Sequence, residues 1–356
     1  MILKIWQIIK QGVLRFIAEL LVRTGFMPVV LFIADRWTFK NKSNGPNPFT
    51  FVKKTNGFHY QVLLYHRVND EKNPISATIP VKVFRKQMEV LSRYFTVLPL
   101  EELVDRALRR DIPPKAIAIT FDDGYRDNYE NAFPILKQFR LPATIFLATG
   151  AIDSNTPIWH DLVFDVFRKT KLDFVPFGGR DYPLRTSIER QIAVNAYRRY
   201  LRNFNFHDWD NLIRQLIAKL ELGEEKNCFG CEKLTWLEIE EMAKDKITFG
   251  AHTVTHPILT NLVLSDAMKE IMTSKEAIER KLKSHVKLFA YPNGSREDFN
   301  DEIKQGVKDA GFLSALTTIW GSNHPCTDPF ELRRFGIWDR NPEIFAVRLG
   351  WYRCSS

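Results

Sequence analysis

Apolar positions recur along this chain with two different periods. Over the first 23 residues Ile2, Ile5, Trp6, Ile9, Val13, Phe16, Ile17 and Leu20 fall at three- and four-residue spacing, while Lys4, Gln7, Gln11, Arg15, Glu19 and Arg23 lie mostly elsewhere around the wheel. That pattern predicts an amphipathic helix. Its charges interrupt any apolar run long before the ~20 residues a bilayer span needs. The next run, Phe26 to Ala34, is also too short. No small-residue cleavage site follows a clean apolar stretch, so neither a transmembrane span nor a signal peptide is expected. Such a basic helix can lie on an anionic membrane surface, although a stripe of this kind more often packs on its own domain.

Residues 40–58, with Asn41, Asn44, Gly45, Pro46, Asn47 and Pro48, read as a linker. The period then shortens. Continuous apolar runs at Tyr60 to Tyr65, Ala116 to Thr120, Ala143 to Ala148, Ile247 to Ala251, Lys287 to Tyr291 and Leu313 to Thr318 predict buried strands. Helical periodicity separates them at Val81 to Phe95, Leu100 to Arg109, Tyr129 to Phe139, Ser265 to Ser284 and Asn300 to Ala310. Buried strands alternating with amphipathic helices imply an α/β fold with parallel pairing, barrel-like, helices outside. The alternation stops between Gly150 and Trp236. There Asp161 to Lys171, Ser187 to Phe204 and Asp208 to Leu220 look helical, so residues of about 154–235 are expected to form a helical insertion. The expected organisation is an N-terminal helix and linker over 1–58, then one domain over 59–352.

Composition narrows the class of protein. With 356 residues, 45% hydrophobic and 26% charged, a disordered chain and a disulfide-stapled miniprotein are excluded. The net charge of +9 favours anionic neighbours. The basic residues are scattered and no nucleic-acid motif is present, so nucleic acid is not an expected partner. Four cysteines do not make a disulfide framework. Cys228 and Cys231 form a C-x-x-C, which could be half a zinc site or a redox pair, but with no second half to complete a four-ligand site it reads as two incidental cysteines.

In barrels of this kind the chemistry gathers at the carboxyl ends of the strands. Three predicted strand ends are unusual. Thr120-Phe121-Asp122-Asp123-Gly124 places two carboxylates together, where they repel unless a cation separates their roles. Alone it could be a polar Asp-Gly turn. His252 and His256, in Gly250-Ala251-His252-Thr253-Val254-Thr255-His256-Pro257, are four apart and could share a metal, or could both be structural. Asp123 with the two histidines would leave one position open, the pattern of a catalytic zinc site. The third, Phe289-Ala290-Tyr291-Pro292-Asn293-Gly294, would alone be an ordinary turn.

In this order the three motifs resemble the polysaccharide deacetylase family, also called the NodB-homology family or carbohydrate esterase family 4. The resemblance covers roughly residues 59–340 and implies a distorted (β/α) barrel of about seven parallel strands. It implies Asp123, His252 and His256 as ligands of a divalent metal, zinc foremost, with nickel, cobalt or iron as alternatives. It further implies Asp122 as catalytic base, the Tyr125 backbone amide as an oxyanion donor, and Tyr291 and Pro292 beside the substrate. Two departures stand out. Ala290-Tyr291-Pro292 lacks the arginine many members carry before this motif, and no Leu-His-Asp supplies a C-terminal acid. Leu63-Leu64-Tyr65-His66-Arg67-Val68 is similar to the Tyr-His motif of the poly-N-acetylglucosamine deacetylase branch. There the barrel is circularly permuted, which makes His66 the candidate acid. Arg333 or Arg334 could replace the missing arginine, Arg334 being preferred, by pairing with Asp122.

Trp159, His160 and Asp161 resemble an aromatic stretch of relatives from surface-polysaccharide gene neighbourhoods, and Trp159 could stack on a sugar. The expected activity is hydrolytic removal of N-acetyl groups from an amino-sugar polysaccharide or lipid-linked glycan, cytoplasmic or on the cytoplasmic face of a membrane, with the periplasm as the other compartment. A non-catalytic carbohydrate-binding relative and a two-histidine, one-carboxylate Fe(II) oxygenase are the competing readings.

Overall fold

The structure is a computed structural model that describes residues 59–71, 77–154, 157–223, 231–337 and 339–352. The predicted N-terminal helix and linker lie outside these residues. Seven parallel strands form the frame: β1 (Gln61–Tyr65), β2 (Ala116–Phe121), β3 (Ala143–Leu147), β4 (Ile247–Ala251), β5 (Leu288–Ala290), β6 (Ser314–Leu316) and β7 (Phe335–Gly336). Their order across the sheet is β6-β5-β4-β3-β2-β1-β7, and Thr96–Val97 flanks β2. The ring closes where the chain runs from Leu332, bridged in parallel to Leu316 of β6, into β7, paired with β1. The frame is therefore the expected distorted (β/α) barrel. Among the described residues no helix is long and apolar enough to cross a membrane.

Alternation along each strand divides the side chains between two cores. Ala116 and Ala118 of β2 share a cluster with Val62, Phe146, Leu288, Ala290, Leu316 and the helix Leu100–Leu108. Ile117, Ile119 and Phe121 join the larger cluster made with the surrounding helices. Thr120 and then Asp122 continue the inward alternate series of β2, and the small residues before them leave that face room for polar side chains. Gly250 shows how tight the space is, since a Cβ there would come within 2.4 Å of the Phe146 ring.

The predicted helices form at Val81–Tyr94, Leu100–Leu108, Phe133–Phe139, Leu264–Leu282 and Asp301–Asp309, the third preceded by a π-helical turn, Asn128–Ala132. The region interrupting the barrel contains Trp159–Lys169, Ser187–Leu201 and Trp209–Lys219, and also an antiparallel hairpin, Phe174–Phe177 with Arg180–Pro183, which the sequence did not reveal. It packs its own apolar cluster around Phe167, Tyr197 and Trp209. Helices Trp236–Ala243 and Pro342–Tyr352 are further additions. Cys231 is disulfide-bonded to a partner outside the described residues, which corrects the reading of it as incidental.

Candidate active site

Strand register brings the site together. Tyr65 pairs with Phe121, so His66 and Asp122 leave neighbouring strands at one level, and the Asp122 amide donates to the Tyr65 carbonyl at 3.1 Å. Leu147 and Phe289 both pair with Ala251, which delivers His252 to the same rim. Turns then do what regular strands cannot. Asp123, Thr253, His256 and Asn293 all have positive φ, at 71°, 66°, 59° and 57°, a region uncommon for side-chain-bearing residues and typical of functional sites. After Asp123, Gly124 continues at φ 64°, and a Cβ there would approach the Leu147 side chain to 2.9 Å. The chain thus reverses at once, and both carboxylates stay at the rim.

Asp123 Oδ1 lies 3.5 Å from His252 Nε2 and 3.3 Å from His256 Nε2, and all three residues are buried. The edge of a tetrahedron with metal–ligand bonds of about 2.0 Å is about 3.3 Å, so the donor atoms already stand at zinc-like spacing. Asp123 Oδ1 has no hydrogen-bond partner, an expensive state for a buried carboxylate oxygen. The tautomer is set as well. His252 Nδ1 donates to the Ala290 carbonyl at 2.7 Å, which leaves the Nε2 lone pair for a cation. Burial pushes His256 down to about 4 against the pull of Asp123, so that ring is neutral near pH 7. Burial opposes ionisation of Asp123 too, but the three imidazoles around it hold it well below the usual carboxylate range.

The His252–His256 segment is a loop, not a helical turn. The Glu270 carboxylate accepts the amides of Val254 and Thr255 and the Thr255 hydroxyl. Thr253 Oγ1 accepts the His256 amide, and the Trp159 indole donates to the His256 carbonyl at 2.9 Å.

Asp122 has a different partner. Arg334 grips it with two parallel bonds, Nη1 to Oδ1 and Nη2 to Oδ2, each 2.7 Å, while its Nε donates to the Thr317 carbonyl. Both residues are buried. Burial would raise the Asp122 carboxyl, but the Arg334 guanidinium together with His252 and His66 brings the group below its ordinary value. Arg334, and not Arg333, reaches the aspartate; the Arg333 carbonyl and amide bind the side chain of Asn323. His66 lies in the field of Asp123, Asp122, Arg334 and His160, and burial lowers it overall.

Four other sequence candidates sit less simply. Tyr125 is buried with its amide on the side away from its antiparallel bridge to Lys233, because the cross-strand bonds are made by Arg126 and Leu234. Trp159 is 8% exposed and lies edge-on to Trp209, so its indole supports the His256 loop instead of presenting a free face. Tyr291 points to the other side of β5: its ring stacks on Phe299 at 4.3 Å and its hydroxyl donates to the Phe330 carbonyl. The reason is parity, since Leu288 and Ala290 face the small inner cluster and Phe289 and Tyr291 the outer one. Pro292 is buried, with its carbonyl accepting the Gly294 amide.

Sequence reasoning missed a buried network behind the aspartates. His160 Nε2 stands 3.5 Å from Asp123 Oδ2, with its ring edge-on to His256. The Tyr125 hydroxyl donates to Asp161 Oδ1 at 2.6 Å, Lys233 Nζ donates to Asp161 Oδ2 at 2.9 Å, and both Lys233 and Arg67 lie over the Tyr125 ring, at 3.3 and 4.9 Å from its centroid. Trp159, His160 and Asp161 stood out in the sequence only through their resemblance to an aromatic stretch of relatives. Nothing in the sequence around Lys233 marked it.

A polysaccharide deacetylase family model matches residues 109–315. The chain belongs to the polysaccharide deacetylase family, a family of hydrolases. It is similar to YxkH of Bacillus subtilis, 22% identical over 293 residues, covering 82% of this chain and 75% of that protein. It also resembles the poly-β-1,6-N-acetyl-D-glucosamine N-deacetylase of Staphylococcus epidermidis, 31% identical over 126 residues, but that match spans only 31% of this chain and 42% of the relative. In fold it is similar to the Streptococcus pyogenes deacetylase PplD, solved with acetate, at a TM-score of 0.55 and 20% identity over 81% of this chain and 97% of that one.

Proposed function

We propose that this protein is a divalent-metal-dependent N-deacetylase of an acetylated amino-sugar glycan, and that zinc is its metal. The observation that carries this reading is the buried Asp123–His252–His256 cluster, with its orphaned carboxylate oxygen, standing beside an Asp122 already held ionised by Arg334. A divalent cation held by those three residues would supply Lewis acidity to the acetamide carbonyl and the attacking water. Asp122 is the base, because its depressed carboxyl stays an acceptor and the fork of Arg334 fixes its oxygens. His66, one register step across the sheet from Asp122, would enter the step protonated, its charged form favoured by Asp122 and Asp123 against burial, and give that proton to the departing amine nitrogen while Asp122 keeps the proton taken from water. The Tyr125 amide, turned away from its bridge partner, offers a hydrogen bond to the developing oxyanion. Acetate and a free amino sugar are the products.

Poly-β-1,6-N-acetylglucosamine, named by the S. epidermidis relative, is the first substrate to try. A purely binding relative would have no need of the ionised Asp122–Arg334 pair, and an Fe(II) oxygenase would require oxygen and a cosubstrate. We also place the protein at a membrane surface, a reading supported by the +9 charge and the amphipathic pattern of residues 1–23. The disulfide at Cys231 supports the oxidising side of that membrane over the cytoplasmic side expected from the sequence.

The test is anaerobic acetate release from a panel of acetylated oligosaccharides, before and after chelation and metal add-back. Asp122→Asn should retain the metal and lose turnover by about 10²–10⁴-fold. Undiminished turnover in that variant would refute Asp122 as the base.

A further inference from the structure

Beside the site, the helix Ser187–Leu201 carries Arg198 and Arg199 into a cavity of about 230 Å³ that Trp159, Arg202, Asn195 and Asn293 also line. Two of these residues tie it to the reacting groups. The Trp159 indole N–H is bonded to the His256 carbonyl, and Asn293 belongs to the turn that follows β5, whose Ala290 carbonyl orients His252. The cavity therefore borders the segments that carry His252 and His256.

Its chemistry is one-sided. Arg198 lies over the faces of Trp159 and Phe164, at 5.9 and 5.8 Å from the ring centroids, and no carboxylate of the described residues stands within ion-pair distance of it. Its guanidinium makes a single long polar contact among the described residues, Nη2 to Asn293 Oδ1 at 3.4 Å. That contact turns the other end of the amide inward, and Asn293 Nδ2 is buried without a hydrogen-bond partner. Arg199 is exposed and likewise has no acidic neighbour within ion-pair distance among the described residues. Only Arg202 is neutralised, by Asp298 at 2.9 Å and Glu297 at 3.6 Å. Burial and the neighbouring Arg202 charge both work against the Arg198 cation, whose affinity for its proton is lowered. The two aromatic faces favour the Arg198 cation, but they leave its other N–H donors, and the orphaned amide donor beside it, without acceptors among the described residues. Both become satisfied by a ligand that brings several acceptor oxygens and negative charge, and paired arginine forks fit the oxygens of a phosphate group best.

We propose that this cavity binds a phosphate group carried by the substrate, so that the protein deacetylates a phosphorylated or phosphate-linked amino sugar. The proposal rests on the deacetylase reading for its consequence but not for the binding itself. The phosphate can belong to the sugar or to a lipid carrier, and the two sources are separable.

Binding is measured calorimetrically on the full-length Asp122→Asn protein with metal bound, using inorganic phosphate, N-acetylglucosamine 1-phosphate, a short-chain prenyl phosphate and, as the carboxylate control, N-acetylglucosamine linked to glucuronate. The phosphate ligands should bind at least about tenfold more tightly than the uronate. Arg198→Gln should weaken them about ten- to a hundredfold, the range expected for loss of a charge-assisted fork. Arg199→Gln, at an exposed position that cannot disturb folding, should weaken them less. Arg214→Gln, which removes an equal charge from the next helix, should not. The tighter of the sugar and prenyl phosphates identifies the source. In turnover, the phosphorylated sugar should show a lower KM than its neutral counterpart, and Arg198→Gln should raise that KM with little change in kcat. Equal binding of phosphate and uronate, or the same loss in Arg214→Gln as in Arg198→Gln, overturns the proposal. If phosphate binds as described and no acetate is released from any substrate, the deacetylase reading fails and the anion site stands.

Discussion

Asp122 and Asp123 are the same residue type, adjacent in the chain and equally buried, yet the two sides of the site they build are opposites. On one side Asp122 has both oxygens engaged by Arg334, a neutral pair that is complete within the protein. On the other, Asp123 faces three imidazoles, and its Oδ1 has no hydrogen-bond partner among them. The first side is finished on folding and the second is finished only by a ligand. The difference teaches that, on the proposed function, the geometry of the base would be intrinsic to the fold, while metal affinity would be open to separate tuning through residues behind Asp123.

The strongest way to break the contrast is Arg334→Met. It leaves a buried carboxylate uncompensated, so chemical denaturation should show a loss of about 3–5 kcal/mol. The Asp122 carboxyl, now governed by burial, should rise, and the acid limb of the acetate-release profile should move to higher pH. Asp122→Asn combined with Arg334→Met should recover much of the stability and none of the turnover; a double variant no more stable than the single one would show the pair is not a closed unit. Next in size, His160→Gln should weaken metal binding about 10–100-fold, as changes behind a metal ligand do, while leaving the denaturation midpoint of the metal-free protein within ~1 kcal/mol. Metal titration with a competing chelator decides it. Trp159→Phe removes the donor to the His256 carbonyl and should cost about 0.5–1.5 kcal/mol of stability, with a smaller loss of metal affinity than His160→Gln.

The smallest effect lies away from both aspartates. Lys304 bonds Glu331 at 2.8 Å and Asp328 at 3.2 Å just before the closing strand. Burial opposes both carboxyls, but Lys304 with Arg296 for Glu331, and the Phe330 amide with Lys304 for Asp328, bring them below their ordinary 4.5 and 3.8. Their contribution is therefore whole above those ordinary values and is lost as pH falls through the lowered ones. Thermal melts of wild type and Lys304→Gln should differ by a few degrees at pH 7 and converge near pH 3. A constant gap across that range would assign the effect to packing.

Much of the frame was legible because continuous apolar strands and amphipathic helices impose their own periods. The strand Ile247–Ala251 has its expected bounds, and the others shift by a residue or two. The two aspartates and two histidines stood out because Asp122-Asp123-Gly124 and His252/His256 each sit within one short stretch of chain. The rest depended on distance in sequence. Arg334 is 212 residues from Asp122, and charge need alone narrowed the choice only to 333 or 334. The two-residue strand Phe335–Gly336 is too short for any period to register. Tyr291 departs from expectation because the motif by itself does not carry the parity of its strand. Lys233 and Arg198 escaped because a base in a charged stretch looks like surface until the fold buries it.

The seam of the barrel runs through Leu332–Gly336, and the guanidinium that completes the reacting pair is carried on that seam. Any fragment that stops before Leu332 still owns every diagnostic motif, yet its sheet keeps two open edges and the Asp122 carboxylate has no counter-charge. Turnover in this architecture therefore reports ring closure, and truncated or nicked molecules should be both silent and prone to edge-to-edge aggregation.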